Sequence, residues 1–451
     1  MDPATPPYRV LPPTAVDDLT AYERAGGGSG LQQALARGPD ATVAELARAR
    51  LRGRGGGGFP IAVKWRRVRD AARRRGEPAF VVANVAEGEP GSYKDRHLLE
   101  TVPHVVVEGT LIALHAVGAR QAVIAVKERN DRGVGRLRDA LAEIRAAGWA
   151  RADDVEVALG PDDYLFGQET ALLEVLEGRP ALPRVLRPDQ RGLFAGLRAA
   201  NPTAVDNVET LAHAAAILGG DANRFLRTGT DATPGTILCT VVGDVARPGV
   251  RELAAGTPLR TLVVDLAGAD DILAVLGGAS GAIVTDDQLD TPLEYDAMRS
   301  AGLELGSGGF VVVDHSRCIV QVLTTFVRFL ALESCGQCVA CRVGTTEIAD
   351  RLHRIDQGSG SRVDLERIAA RARWLTDGAR CRLPGGAERL VVRALERFGD
   401  TIAAHVGTAC RARPIRTPLI DTLDPDTGEV VWHPGYDSGV PTHARRRGMP
   451  R

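Results

Sequence analysis

Three cysteines at two-residue spacing are the feature of this 451-residue chain that most directly predicts chemistry. Cys335, Cys338 and Cys341 form a C-x-x-C-x-x-C run, and Cys381 follows 40 residues later. Four thiolates are the ligand set of a [4Fe–4S] cluster, and such a run can wrap three corners of one cluster. Structural zinc sites more often use two separated pairs of ligands. The spacing therefore favours an iron–sulfur cluster, with a zinc site as the alternative.

The second chemical feature is the glycine-rich loop GRGGGGFP at residues 53–60. Gly53, Gly55 and Gly58 fit the pattern G-x-G-x-x-G, but a helical pattern rather than a strand precedes the loop, so a standard dinucleotide-binding turn is not expected. Glycines nevertheless leave backbone N–H groups unshielded, which allows a phosphate or a flat ring to approach closely. We therefore predict a ligand-binding loop rather than a flexible linker.

Three further polar segments lie beside predicted strand ends or helix starts, where α/β sheets bind ligands. They are NVAEGEPGSYKDR (84–96), FGQETALLEVLEG (166–178) and NPTAVDNVETL (201–211). Their polar side chains of interest are Asn84, Glu87 and Glu89, then Gln168 and Glu169, then Asn207 and Thr210. Taken singly, each segment also fits an ordinary acidic turn or a helix cap.

Composition restricts the class of protein. The net charge of −1 gives no overall signal for nucleic-acid binding. Arginine outnumbers lysine 53 to 3, so Lys64 and Lys94, which lie in two of the unusual loops, mark places where a compact ammonium is required. No apolar run of about 18 residues is present, and the seven cysteines fit a reducing compartment. We therefore expect a cytoplasmic protein that reaches a membrane only through its partners.

The pattern of apolar residues predicts the order of the elements. Helical periodicity covers residues 42–52, 62–75, 104–118 and 134–148, and strand-like runs cover 80–84, 122–128 and 155–160. This alternation indicates an α/β domain with a largely parallel sheet. Short β-branched runs from residue 236, including TLVVDL, predict a β-rich module to about 314, and helical patterns return over 316–405. Residues 1–40 are expected to be loosely ordered, and residues 406–451 to form an irregular tail.

In combination, these motifs resemble the flavin- and NADH-binding subunit of respiratory complex I and the related diaphorase subunits of NAD-dependent hydrogenases and formate dehydrogenases. The matching runs occur in order over about residues 50–400. The resemblance implies an α/β domain that binds FMN and NADH at 41–232, then a ubiquitin-like β-grasp module at 236–314. A C-terminal four-helix bundle carrying the iron–sulfur cluster would follow at 316–405, with an N-terminal extension at 1–40 and the tail at 406–451.

The resemblance also implies roles for individual residues. FMN and the nucleotide would be lined by Gly53, Gly55, Gly56, Gly57 and Gly58, with Lys64 near the flavin. Phe59 would stack on the NADH rings, Asn84 and Glu87 would contact FMN, Glu89 and Glu169 would contact NADH, and Asn207 and Thr210 would flank the FMN phosphate. The iron ligands would be Cys335, Cys338, Cys341 and Cys381.

The chain departs from this family at several positions of the flavin and NADH pocket. Ala86 stands where the family usually has Asp, Gln168 where it has Glu, and Asp206 where it has Asn. A basic pair, Arg66-Arg67, replaces a common aromatic residue, and the loop after residue 178 lacks an expected ring. An aspartate beside a flavin phosphate would be repulsive unless Arg187 or another cation offsets its charge.

The leading functional interpretation is an NADH:acceptor oxidoreductase in which electrons pass from NADH through FMN to the [4Fe–4S] cluster. The acceptor would be an iron–sulfur partner, either a ferredoxin or a [2Fe–2S] subunit, or a quinone-linked complex. No catalytic acid or base is expected, because hydride transfer does not need one. The alternatives are a non-catalytic electron-transfer subunit with a degenerate NADH site, a flavoprotein that uses NADPH or ferredoxin, and a zinc-stabilised binding module. Cys239, Cys318 and Cys410 are expected to be structural thiols.

Overall fold

A four-stranded parallel sheet forms where short apolar runs alternate with amphipathic helical segments. The computed structural model describes residues 6–280, 283–413 and 415–434. The chain folds into two units. The first unit runs to Gly88 and includes Tyr93–Leu238 and Glu252–Thr257, and the second comprises Glu89–Ser92, Cys239–Arg251 and the residues from Pro258 onward.

Nine α-helices and the four-stranded sheet lie in the first unit among its described residues. The helices are α1 (Leu19–Arg24), α2 (Ser29–Arg48), α3 (Ile61–Arg75), α4 (Lys94–Thr101), α5 (Pro103–Val117), α6 (Asp131–Ala146), α7 (Glu169–Leu176), α8 (Val208–Ala216) and α9 (Ala222–Arg227). The strands are β1 (Phe80–Val85), β2 (Gln121–Lys127), β3 (Val155–Gly160) and β4 (Thr203–Asn207). Their order in the sheet is β3-β2-β1-β4, and every neighbouring pair is parallel. The predicted α/β class is therefore confirmed.

Burial on both faces explains the apolar composition of the central strands. Val81, Val82 and Ala83 of β1 are fully buried, as expected for a parallel strand that is covered by helices on both faces. Helix α5 is apolar around most of its circumference and buries all but one of its residues. Because β1 and β4 run parallel and side by side, their carboxyl ends meet at one edge of the sheet.

The loose order expected for residues 1–40 is wrong for the described part of that segment. Helix α2 contains the predicted helix at 42–52 only as its last part, and Leu31, Ala34, Val43 and Leu46 on it are buried. Gly38 and Pro39 produce a kink inside α2. The backbone of Gly38 is non-helical, with φ 79° and ψ 169°, so α2 consists of two helical segments, each with buried apolar residues.

A mixed five-stranded sheet lies mostly in the second unit. Its strands are β5 (Thr236–Gly243), β6 (Gly249–Ala254), β7 (Ile272–Leu276), β8 (Ile283–Val284) and β9 (Gly309–Asp314), in the order β6-β5-β9-β7-β8. Strands β5 and β9 are parallel, whereas β7 is antiparallel to β9 and β8. Helix α10 (Tyr295–Ser300) precedes β9. The β-rich module is thus present, while its assignment as a β-grasp stays a prediction.

One segment that was predicted as a β-branched run is helical. Residues Thr261–Leu266, the TLVVDL run, form a wide helical turn. The buried side chains around it are Leu259, Leu262 and Val263, which are spaced by three and four residues as on one face of a helix. The spacing of the apolar residues therefore outweighed the strand preference of the β-branched side chains.

Four helices follow the mixed sheet, as predicted for the bundle. They are α11 (Ile319–Glu333), α12 (Val339–Asp356), α13 (Arg362–Ala372) and α14 (Leu383–Ala404). Helix α11 packs on α12 and α14, and α13 packs on the same two helices. The expected irregular tail is partly wrong, because β10 (Ile420–Leu423) and β11 (Val430–Trp432) form an antiparallel pair. The tail residues 435–451 lie outside the described residues. Among the described helices, none has both the length and the apolar character that crossing a bilayer requires.

Candidate functional site

The glycine-rich loop joins α2 to α3 and lies against the carboxyl end of β4. Gly56 and Gly58 have φ values of 102° and 59°, a left-handed conformation that glycine adopts at little cost. A Cβ atom added at Gly55 would lie 3.0 Å from Cβ of Asn207, whereas one added at Gly57 would meet nothing within 4 Å. The loop therefore touches the sheet edge at Gly55 and leaves open space above Gly57, which fits a bound ligand.

Backbone contacts hold the loop in place at both ends. The amide of Gly53 donates to the carbonyl of Phe59, with an N–O distance of 2.9 Å. The amide of Arg54 donates to Oγ1 of Thr210 at 2.8 Å. The buried Arg54 side chain in turn donates from Nη2 to the carbonyl of Pro234 at 2.7 Å. Thr210 thus positions the loop, as well as lying in the segment predicted to flank a phosphate.

Asn84 and Asn207 are neighbours at the ends of the adjacent strands β1 and β4. Asn84 donates from Nδ2 to the carbonyl of Gly167 at 2.8 Å and accepts from the amide of Ala86 at 3.0 Å. Asn207 caps α8, since its Oδ1 accepts from the amide of Glu209 at 3.1 Å. The structure therefore brings three of the sequence-predicted segments to one edge of the sheet.

Lys64 lies between two carboxylates in the first turn of α3. Its Nζ atom is 3.3 Å from Oδ1 of Asp206 and 3.5 Å from Oε1 of Glu169, and it donates to the carbonyl of Val205 at 2.6 Å. Burial alone would lower the pKa of Lys64, but Asp206 and Glu169 outweigh it and raise that pKa above its ordinary value. Lys64 is therefore a fixed cation at the sheet edge.

The charge of Asp206 is offset by Lys64 and not by Arg187. Asp206 is buried and accepts from Nε1 of Trp65 at 2.8 Å, in addition to its ion pair with Lys64. Arg187 instead pairs with Asp189, with 3.1 Å between Nε and Oδ1. An aspartate at this position is thus accommodated by a nearby lysine and an indole N–H.

Lys94 is the centre of a second and more deeply buried cluster. Its Nζ atom lies 2.7 Å from Oδ1 of Asp95, 2.8 Å from Oε2 of Glu209 and 3.2 Å from Oδ1 of Asn207. Asn207 also donates from Nδ2 to Oδ2 of Asp95 at 2.7 Å. Burial pushes the pKa of Glu209 up, but Lys94, His213 and Arg54 together outweigh burial and hold that pKa at about 2. The hydrogen bonds from Lys94 and to Asp95 therefore fix the side chain of Asn207.

The sequence singled out Lys94 by the scarcity of lysine but did not assign it to the site, and it missed Asp95 and Glu209. The available signal was that all three lysines of the chain, Lys64, Lys94 and Lys127, fall in the α/β unit. A buried ammonium requires carboxylates nearby, and those could have been sought in the predicted ligand segments.

Glu87 faces the start of α4. Its carboxylate accepts from the amides of Asp95 and Arg96, with N–O distances of 3.3 and 3.4 Å, and from Nε of Arg96 at 3.1 Å. Glu87 is thus held by the N-terminus of a helix, where a negative charge is favoured. Glu89 belongs to the second unit, where its side chain lies over Gly278.

Two predicted nucleotide contacts are exposed on the surface of the first unit. Phe59 is 40% exposed, and the guanidinium carbon of Arg67 lies 5.3 Å from the centre of its ring. Glu169 is the first residue of α7, and its side chain is half-exposed. Gln168 caps α7 by accepting from the amides of Thr170 and Ala171. The replacement of Glu by Gln at 168 thus preserves a helix cap.

The four cysteines predicted to bind iron come together in the helical part of the second unit. Cys335 and Cys338 lie between α11 and α12, Cys341 lies in the first turn of α12, and Cys381 lies two residues before α14. Burial above all, and the nearby thiols of Cys335, Cys341 and Cys338 in addition, raise the pKa of Cys381 to about 12. The thiols of these four cysteines are therefore close enough to interact electrostatically, and this donor set fits a [4Fe–4S] cluster.

Polar groups surround these sulfur atoms. Oγ of Ser334 lies 3.4 Å from Sγ of Cys341, and Nε2 of Gln337 donates to Sγ of Cys335 at 3.6 Å. Arg380, which directly precedes Cys381, donates to Oε1 of Gln337 at 3.0 Å. Hydrogen bonds to cluster sulfurs are one means by which a protein sets a reduction potential.

Two regions of the chain match families of known proteins. Residues 46–216 match the family described as the Nuo51 FMN-binding domain, and residues 321–405 match the NADH-ubiquinone oxidoreductase-F iron-sulfur binding region. An NADH-quinone oxidoreductase subunit of Rhizobium meliloti is 36% identical over 402 residues, which cover 86% of this chain and 94% of that protein.

Two further similarities involve hydrogenases. The NADP-reducing hydrogenase subunit HndC of Solidesulfovibrio fructosivorans is 31% identical, over 92% of this chain and 86% of that protein. A crystal structure of an NAD+-reducing [NiFe]-hydrogenase in the H2-reduced state superposes with a TM-score of 0.77 at 34% identity. That match covers 87% of this chain and 67% of the hydrogenase chain.

Proposed function

This chain belongs to the family of NADH-quinone oxidoreductase subunits that contain the Nuo51 FMN-binding domain, and from that membership we propose that it oxidises NADH at a bound FMN and delivers the electrons to a [4Fe–4S] cluster. When bound, the flavin accepts a hydride and releases its two electrons one at a time, which a cluster that takes single electrons requires. The observation that carries the proposal is the contact of the glycine-rich loop with Asn207 at the end of β4, where Asn207 is the register partner of Asn84 in β1.

Each predicted ligand residue of the first unit has a role in this proposal. The backbone of Gly55 to Gly58 would lie along the flavin and nucleotide, because no side chain shields it. Asn84, Glu87, Asn207 and Thr210 would hold FMN from the sheet edge, and Lys64 would place a positive charge near the flavin. Phe59 and Glu169, which are exposed beside this edge, would contact NADH. Glu89 stays a predicted NADH contact in the second unit.

The four cysteines of the second unit would hold the cluster. Val339 and Val343, each two residues from Cys341 on α12, are 68% and 43% exposed. Apolar side chains that are exposed beside a redox centre suit the docking of a protein acceptor. We therefore propose that an iron–sulfur protein, a ferredoxin or a [2Fe–2S] subunit, receives the electrons. The two relatives named above are subunits of larger enzymes, in keeping with partner subunits.

A location in the cytoplasm is also part of the proposal. All seven cysteines lie in the described part of the chain, and each of them is a free thiol. Unpaired cysteines in this number suit a reducing compartment.

The test uses the full chain purified without oxygen. FMN, iron and acid-labile sulfide are measured first, and about one FMN and four iron atoms per chain are expected. Addition of NADH is then expected to bleach the flavin absorbance and to support reduction of ferricyanide. FMN-loaded protein that NADH does not bleach would overturn the donor assignment and leave an electron-transfer subunit.

The exposed pair of Phe59 and Arg67 favours NADPH as a second candidate donor. A guanidinium beside a ring that stacks on the nucleotide could bind an additional phosphate. One relative is named as NADP-reducing. The ratio of kcat/KM for NADH and NADPH, measured for the natural chain and for Arg67→Gln, separates the two donors. A preference for NADPH that Arg67→Gln abolishes would support this candidate.

A further inference from the structure

A second group of metal-binding side chains lies apart from the four cluster cysteines. The sulfur atoms of Cys318 and Cys410 and a ring nitrogen of His405 lie within 4.8 Å of one another. Cys318 directly precedes α11, His405 directly follows α14, and Cys410 lies five residues further on. Cys318 and Cys410 were expected to be structural thiols, yet the fold brings them to the same histidine.

The imidazole of His405 is oriented as it is in metal sites. Its Nδ1 atom lies 2.8 Å from the carbonyl oxygen of Thr401. Because a carbonyl oxygen can only accept, Nδ1 carries the hydrogen in this contact and Nε2 presents its lone pair. Nε2 lies 3.2 Å from Sγ of Cys318. A backbone acceptor that fixes the tautomer of the ring is the usual support of a metal-binding histidine.

Both cysteines are held by backbone hydrogen bonds. The amides of Val320 and Gln321, in the first turn of α11, donate to the sulfur of Cys318. The amide of Cys410 donates to the carbonyl of Asp356 at the end of α12, with an N–O distance of 2.9 Å. The three ligand atoms are thus positioned by three different helix ends.

Solvent reaches one side of the group. His405 and Cys410 line an open depression together with Ala404, Gly407 and Thr408. A metal held by three protein ligands needs access to a fourth ligand, which water supplies in many zinc sites. The depression provides that access.

We propose that Cys318, His405 and Cys410 bind one Zn2+ ion, with a water molecule as its fourth ligand. Two thiolates and one imidazole are a zinc donor set, and bonds of about 2.3 Å to sulfur and about 2.0 Å to nitrogen place neighbouring ligand atoms roughly 3.5–4 Å apart. The distances in the structure bracket this spacing. The ion would tie the segment after α14 to the start of α11. A disulfide between Cys318 and Cys410 would not account for the orientation of His405, whose Nε2 atom points to Sγ of Cys318.

The test measures zinc on the intact protein that carries its iron–sulfur cluster. About one zinc and about four iron atoms per chain are expected by mass spectrometry of the metals. X-ray absorption at the zinc edge is expected to show two sulfur neighbours at about 2.3 Å and lighter atoms at about 2.0 Å. His405→Ala and Cys410→Ser are each expected to lose at least nine-tenths of the zinc while keeping iron and NADH–ferricyanide turnover.

Two controls assign the metal to this group. Cys239→Ala removes a buried thiol of β5 and is expected to keep the zinc. Cys381→Ser is expected to lose iron and keep zinc, which excludes zinc that has filled an empty cluster site. The proposal is overturned by zinc-free wild-type protein from zinc-supplemented cells, by a four-sulfur shell, by zinc that persists in the His405→Ala, Cys410→Ser double variant, or by a Cys318–Cys410 disulfide in the native protein.

Discussion

Asn84 and Asn207 are register partners at the carboxyl ends of two parallel strands, β1 and β4. Each side chain then reaches away from the sheet to fix a different loop. Asn84 holds the carbonyl of Gly167 before α7, and Asn207 binds Asp95 and Lys94 at the start of α4. One pair of amides at adjacent strand ends therefore positions the segments that surround the proposed flavin site.

Asn207→Ala is expected to weaken FMN binding about tenfold or more, which corresponds to about 1.4 kcal/mol. Asn130 caps α6 through a 3.2 Å hydrogen bond from the amide of Gly133, so Asn130→Ala is a matched control. Loss of either cap costs about 0.5–2 kcal/mol of stability, but only the Asn207 variant should lose flavin. The measurement is FMN retained after gel filtration, together with the urea midpoint of each variant. Equal FMN retention in the two variants would contradict the proposed role.

Asp206→Asn is expected to tighten FMN binding. An asparagine oxygen can still accept from Nε1 of Trp65, while one negative charge is removed beside Lys64. Loss of that charge near a phosphate should lower the Kd of FMN by roughly 3–10-fold at low salt. Asp189→Asn, which breaks the exposed ion pair with Arg187, is the control and should leave the Kd unchanged. Weaker binding in Asp206→Asn would show that the aspartate contributes to flavin binding.

The sequence predicted the elements well where apolar periodicity was uninterrupted. The predicted strand at 80–84 and helix at 62–75 match β1 and α3 to within a residue or two. The loose order expected for residues 1–40 failed at the segment of α2 before Gly38, where Leu31 and Ala34 are buried. The prediction failed again at 261–266, where buried apolar spacing outweighs the strand preference of β-branched residues.

The site could be predicted only in part, because its ion pairs join distant positions. The glycine loop, Asn84, Asn207 and the four cysteines are visible as motifs. The pairing of Lys94 with Glu209 joins residues 115 positions apart, and that of Lys64 with Asp206 joins residues 142 positions apart. No local pattern encodes such contacts. The Cys318, His405 and Cys410 group was missed for the same reason, since the four helices α11 to α14 separate Cys318 from His405 and Cys410.

Gly57→Ala is expected to raise the KM for NADH or the Kd of FMN without lowering stability. The added methyl group meets no protein atom within 4 Å, so any loss of binding reports a ligand at that position. Gly135→Ala, on α6 and equally open, is the control and should slightly stabilise its helix. Thermal unfolding and NADH–ferricyanide kinetics provide the two readouts. Unchanged kinetics in Gly57→Ala would indicate that the loop does not face the nucleotide.

Ser334→Ala is expected to make the midpoint potential of the cluster more negative. The hydroxyl group lies 3.4 Å from Sγ of Cys341, and a hydrogen bond to a cluster sulfur stabilises the reduced, more negative state. Thr345→Val is the control, because Oγ1 of Thr345 donates to the backbone carbonyl of Cys341 instead of its sulfur. The measurement is a redox titration followed by electron paramagnetic resonance at constant iron content. A positive shift, or equal shifts in both variants, would contradict this assignment.

His213 makes the first unit sensitive to acid. Its ring is fully buried, with Nδ1 at 2.9 Å from the hydroxyl of Tyr8, and burial lowers the pKa of His213 to about 4 from its ordinary value of 6.5. The unfolded chain therefore binds a proton at a higher pH than the folded chain does. Stability is expected to be complete above about pH 6.5 and to fall by about 3 kcal/mol between pH 7 and pH 4. The pKa of Glu209, about 2, adds a loss in the same direction below about pH 4.5.

His213→Gln is expected to reduce the slope of stability against pH between 6.5 and 4, because the variant has no group to protonate at this position. Tyr8→Phe removes the hydrogen bond to Nδ1 but keeps the buried imidazole, so it should lower stability at every pH and retain the slope. Urea unfolding at pH 7, 6 and 5 separates the two effects. If His213→Gln keeps the full slope, the acid sensitivity originates in other groups and the imidazole is not the residue that titrates.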